Sequence, residues 1–175
     1  WTTPDVETNL LGRVPVMQER AFQMGEWWFH TGGYALWSCT DEGWGELAMS
    51  GEVHRQGRVS WVETTVTGPG TLDFSWGLTE AENRESSLMV HLDGVIYPDG
   101  ENGQIWGETG WVPRQIEIPE GRHTVRWIYT LHDEWTEDET EEASLGWLAD
   151  FLWAPEFVPD RTSTTPVEVP YAWLD

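Results

Sequence analysis

Tryptophan is the residue type with the most to offer chemically: the chain has 14 in 175 residues. A planar indole can stack on the apolar face of a sugar ring while nearby Asp, Glu, Asn or Arg side chains bond its hydroxyls. The same ring can instead pin a loop to its own fold or bury against a partner. Trp76 and Trp127 alternate with apolar neighbours and are assigned to a core, and Trp111 to a structural position. Trp147 and Trp153 are placed with Phe151 on one face of a strand, lining the same core. Of the adjacent Trp27 and Trp28, one must point outward if their segment is extended. Trp37, Trp44, Trp106 and Trp135 fall in Gly-rich or acidic stretches, and Tyr97 lies near a hairpin end. These five form the candidate glycan- or partner-binding set.

Catalytic patterns are scarce. There is no G-x-S-x-G elbow, and a chain without lysine cannot form a P-loop. His30, His54, His91, His123 and His132 include no H-E-x-x-H arrangement. Carboxylate pairs that could hydrolyse a glycoside will arise by chance among 31 acidic residues, so none is assigned a catalytic role. The single cysteine, Cys39, cannot close an internal disulfide and reads as a small buried hydrophobe. The run Asp133 to Glu142 (DEWTEDETEE) is either a solvated, self-repelling loop or a source of oxygen ligands for calcium. No D-x-[DN]-x-[DN]-G loop accompanies it, and Asp99 to Gly103 is only a loose approximation.

Charge narrows the partners. All nine basic residues are arginine, and the formal net charge is −22. Such a chain repels phosphate backbones, anionic lipid and sulfated polymers, so no nucleic acid and no membrane insertion are expected. No stretch approaches the roughly 18 apolar residues of a membrane span. The first residues lack a basic region followed by an apolar core, so any signal peptide is expected to have been removed already. Acidity without lysine is tolerated at high salt, where screening weakens self-repulsion, and suits a saline extracellular setting.

The elements that would carry these residues are strands. Leu72, Phe74, Trp76 and Leu78 alternate with Thr71, Asp73, Ser75 and Gly77, a period of two with one buried face. A second strand, Val59 to Val66, precedes this one and is separated from it by a turn at Thr67-Gly68-Pro69-Gly70. Ser87 to Leu92 meets Val95-Ile96-Tyr97 across Asp93-Gly94, a short hairpin. Trp111 to Ile118 and Arg122 to Leu131 flank a predicted tight turn at Pro119-Glu120-Gly121, and Leu145 to Trp153 closes the set. Weak helical potential marks Val16 to Met24. The chain therefore divides into a lead-in (1–25), an all-β antiparallel β-sandwich of jelly-roll type (26–153), and a Pro-rich extended tail (154–175).

The segments WVETTVTGPGTLDFSW, LMVHLDGV, GWVPRQIEIPEGRHTVRWIY and LGWLADFLWAP resemble a module of large bacterial secreted proteins. That module is similar to the jelly rolls of carbohydrate-binding modules and MAM-type adhesion domains, and the tail TPVEVPYAWLD resembles linkers in Verrucomicrobia-type surface proteins. The resemblance spans roughly residues 20 to 155 and implies fold more than ligand. It also implies a structural calcium near the last strand, with Glu141, Glu142 and Asp150 as candidate ligands. The expected function is a non-catalytic extracellular or cell-surface module that binds neutral polysaccharide. The alternative partner is a neighbouring copy of the protein, in a filament, surface layer or stalk assembled through the terminal extensions.

Overall fold

The computed structural model describes residues 18–41, 45–53, 58–79, 85–98, 100–107, 109–132 and 144–156. Among the described residues ten strands run in chain order: β1 Gln18–Met24, β2 Trp27–Gly33, β3 Ser38–Asp41, β4 Glu46–Met49, β5 Val59–Thr79, β6 Ser86–Leu92, β7 Val95–Ile96, β8 Gln104–Trp106, β9 Thr109–Leu131 and β10 Leu145–Pro155. Every pairing is antiparallel, and the main path is β3-β4-β10-β5-β9-β6-β7, with β1 on β2, β2 on β5 and β8 on β6.

Two long strands convert this path into two layers. β5 spans 21 residues and β9 spans 23, and they pair along their whole length, with Gly68 opposite Gly121. The first half of β5 and the second half of β9 carry β1, β2, β6, β7 and β8; the other halves carry β10, β4 and β3. The halves fold onto each other: the rings of Phe74 and Trp127, from opposite halves, lie 5.2 Å apart at 83°. The result is the expected antiparallel β-sandwich of jelly-roll type. We call the half containing β2 and β6 the first layer and the half containing β10 the second.

The two Gly-Pro clusters are therefore not hairpin turns. Gly68 has no side chain because Ile118 and Pro119 of β9 run against it, and a Cβ there would press into their backbone. Each cluster lets a strand bend from one layer into the other without ending. The lead-in also departs from expectation. Phe22 and Met24 alternate with exposed Ala21 and Gln23, so Gln18–Met24 is a strand, and Phe22 stacks on Phe29 at 5.4 Å. Period two, rather than any helical period, buries its apolar side chains.

The core holds Phe29, Val62, Leu88, Val90, Val125, Trp127 and Tyr129 from the first layer, against Leu72, Phe74, Trp76, Leu78, Ile116, Ile118 and Leu148 from the second. Phe151 fits among Trp27, Phe29, Phe74 and Trp127, with centroids at 5.2 to 6.1 Å. Trp76 and Trp127 are buried, as their alternation indicates. Trp147 is not on the Phe151 face. A bulge between Ala149 and Leu152, with Asp150 at φ 55°, inserts one residue opposite β5 and shifts the alternation by one. Gly146 and Leu148 point inward before the bulge, and Phe151 and Trp153 after it, so Trp147 lies on the outside.

Candidate functional site

Alternation on β5 decides what the outside of the first layer presents. Ser60, Val62, Thr64 and Val66 are buried, so Trp61, Glu63 and Thr65 must face outward. Register then extends the surface sideways. His30 lies opposite Glu63, Glu63 opposite Arg126, and Arg126 opposite His91. One row along, Gly32 lies opposite Trp61, Trp61 opposite Ile128, and Ile128 opposite Met89. In a third row Thr130 faces Ser87, and Ser87 faces Trp106.

The centre of this face is a fixed guanidinium. Arg126 Nε donates to Glu63 Oε2 at 2.7 Å and its Nη2 lies 2.5 Å from the same oxygen. Its Cζ sits 4.3 Å from the Trp61 ring centroid. A charge-assisted bond and a cation–π contact thus hold one planar donor group in place. Beside it, burial and then the Arg126 charge lower the pKa of His91 against an opposing hydrogen bond that the ring donates to the Gly94 backbone, and the net effect favours a neutral ring.

Two exposed indoles flank that centre. Trp28 is 64% exposed and, with His30, Glu63, Thr65 and Arg122, lines a cavity of about 410 Å³. Trp106 is 49% exposed and stacks on His132, with centroids 4.5 Å apart and planes 26° apart. Buried Ser87 bonds that imidazole through Oγ···Nε2 at 2.8 Å. Trp61 and Trp106 are three interstrand steps and one row apart, about 16 Å between backbones. The face is therefore a wide, shallow surface with aromatic walls and hydrogen-bonding groups between them, suited to an extended ligand with apolar faces and hydroxyl edges.

The sequence-derived candidates scatter. Trp106 lies on this face. Trp37 is fully buried, because Thr31 Oγ1 accepts a bond from its backbone N–H at 2.8 Å and its ring packs over Gly146; it cannot present a face to a ligand. Tyr97 lines a separate groove of about 650 Å³ beside the strand bends, with Pro69, Thr71, Glu117 and Glu156. Trp44, Trp135, Glu141 and Glu142 lie outside the described residues. Asp150 is exposed at the β10 bulge, and among the described residues no group of three His, Cys, Asp or Glu side chains could hold a metal ion. Trp111, assigned to a structural role, is 52% exposed on the outside of the second layer. Trp28, Trp61, Glu63 and Arg126 were not among the candidates, although Trp28 was half of the pair of which one ring had to point outward. Alternation within VSWVETTV and TVRWIY could have turned Trp61 and Arg126 outward; only strand register brings them together.

No protein-family model matches the chain, and no curated protein does. Solved structures with similar backbones include the secreted serine protease VesC from Vibrio cholerae, at 10% identity and TM-score 0.48, covering 85% of this chain and 43% of that one. The family 11 carbohydrate-binding module from Clostridium thermocellum, in complex with a β-1,3-1,4-mixed-linked tetrasaccharide, matches at 9% identity and TM-score 0.45, covering 81% and 98%. The module TmCBM61, in complex with β-1,4-galactotriose, matches at 12% identity and TM-score 0.40, covering 73% and 88%. The chain thus spans less than half the length of the protease. Among the described residues, no helix is long and apolar enough to cross a membrane.

Proposed function

We propose that this chain is a non-catalytic extracellular module that binds a neutral glycan on the outer face of its first layer. The observation carrying the reading is the set of Trp28, the Trp61–Arg126–Glu63 stack and Trp106 on one surface. Indoles supply stacking against sugar faces. The pinned guanidinium, together with His30 and His91, supplies hydrogen bonds to hydroxyls. Glu63 neutralises Arg126 locally, and the chain's charge of −22 repels anions, so the matching ligand is uncharged. Sugar hydroxyls can satisfy polar groups without the charge pairing that a uronate or sulfate would require.

Affinity gels containing soluble neutral polysaccharides test this directly. Retarded migration that is lost in Trp61→Ala and Trp106→Ala is the expected result. Migration equal to that of a non-binding control, across a panel of β-glucans, galactans and mannans, would reject it.

A further inference from the structure

β8 is a poor place to hold a binding ring. It has three residues, Gln104–Trp106, and among the described residues it pairs with β6 alone. The chain leaves the strand at once: Gly107 takes φ 71°, and its N–H donates to the Ser86 carbonyl oxygen at 3.1 Å. Trp106 is 49% exposed there. A half-exposed indole on a short edge strand exchanges among staggered rotamers, and a ligand that stacks on it must first still it.

Three strands together supply what stills it. Register places Trp106 of β8, Ser87 of β6 and Thr130 of β9 in one row. His132 lies two positions beyond Thr130, and its N–H donates to the Glu85 carbonyl oxygen at 2.8 Å, continuing the β6–β9 ladder past its last pair. Its side chain therefore leaves the same face as that of Thr130. Ser87 is fully buried, and its Oγ bonds Nε2 of the imidazole at 2.8 Å. The imidazole in turn lies against the Trp106 ring, with centroids 4.5 Å apart and planes 26° apart. Such a stack occupies one face of the indole and leaves the opposite face to a ligand. Trp61 is held in a similar way, by the Arg126 guanidinium that Glu63 fixes 4.3 Å from its centroid.

We propose that Ser87 and His132 are positioning residues for glycan binding: the buried hydroxyl orients the imidazole, the imidazole fixes the Trp106 ring, and the free face of that ring stacks on sugar. This role rests on the glycan reading above and adds two residues that need not touch the ligand. If the stack served packing alone, its loss would alter stability and leave affinity unchanged. Ordering one indole side chain before rather than during binding is worth about 3- to 10-fold in affinity.

Proton NMR, and calorimetry with soluble neutral β-glucan and galactan oligosaccharides, test this on the wild type, Ser87→Ala, His132→Ala, His132→Phe and Trp106→Ala. The stacked indole should shift the His132 ring protons upfield in the wild type, and the shift should vanish in Trp106→Ala and shrink in Ser87→Ala. Affinity should fall about 3- to 10-fold in Ser87→Ala and His132→Ala, fall further in Trp106→Ala, and return toward wild type in His132→Phe, which keeps a ring to stack. His132 proton shifts that are the same in the wild type and Trp106→Ala overturn the stack itself. Affinity in His132→Ala or Trp106→Ala equal to wild type overturns the positioning role and leaves the glycan face standing on Trp61. No binding of the wild type to any oligosaccharide, with the upfield shift present, overturns the glycan reading and the positioning role with it.

Discussion

Gly68→Ala is the sharpest probe of how the two layers are made. In the structure, β5 and β9 stay paired while both bend, and their backbones come closest at Gly68. A Cβ at this position would lie 2.8 Å from the Ile118 oxygen and from the Pro119 carbonyl carbon, and nearer still to the Pro119 oxygen. All three are backbone atoms, so no side chain can swing aside. Relief requires the strands to separate by about 1 Å, which costs roughly 1–3 kcal/mol as overpacking. Weakening the two flanking ladder bonds adds about 0.5–1.5 kcal/mol each. The expected loss is therefore about 2–6 kcal/mol, or a fall in Tm of roughly 4–24 °C for a chain of this size. Gly110→Ala is the matched control, with nothing within 4 Å of its added methyl group and no left-handed φ. It should lie between neutral and a gain of about 1 kcal/mol. Urea unfolding followed by tryptophan fluorescence and by circular dichroism gives both values. A Gly68→Ala protein within 1 kcal/mol of wild type would refute the continuous bent strands and restore two ordinary hairpin turns.

Trp37→Ala should cost about 3–5 kcal/mol, because the ring is fully buried, whereas a loop binding residue would lose affinity and little stability; chemical denaturation separates the two. Glu63→Gln should change stability by less than about 1 kcal/mol, since the pair is partly solvated, yet weaken glycan binding about 3- to 10-fold by releasing Arg126, as read by calorimetry. The His123–Asp93 pair, at 2.7 Å, should show a defined pH window. The hydrogen bond to Asp93 raises His123 above its ordinary 6.5, so its contribution is full below 6.5 and is lost as pH rises through the folded value. A hydrogen bond from the Thr124 backbone, and then one from His123, lower Asp93 below 3.8, so its contribution is present above 3.8 and is lost as pH falls through the folded value. Proton NMR should give a His123 midpoint above 6.5 that moves back down in Asp93→Asn.

How far the sequence could be read depended on whether a feature is local. Alternation at Leu72 to Leu78, and at Val125 to Leu131, is a property of one strand, so the buried faces and the fold class were legible. Gly68-Pro69 and Pro119-Glu120-Gly121 read as turns because the same residue types serve a tight turn and a close backbone crossing; only the partner strand distinguishes them. The β10 bulge reversed the face assigned to Trp147, since one inserted residue shifts every later side chain, and Asp150 gives no local warning of it. Trp37 illustrates the same difficulty. Its Gly-rich surroundings suggested a loop ring, while a contact with Gly146, more than a hundred positions away, buries it. The His30–Glu63–Arg126–His91 row joins four strands and could not be assembled without register.

The glycan reading stands or falls on whether the outward indoles of the first layer hold sugar. Calorimetric titration of the wild type and of Trp61→Ala with neutral β-glucan and galactan oligosaccharides measures this directly. Saturable binding that weakens about 30-fold on removing the Trp61 ring, a loss of about 2 kcal/mol, is the predicted outcome. Equal affinity in the two proteins, or no heat with any oligosaccharide, would contradict it.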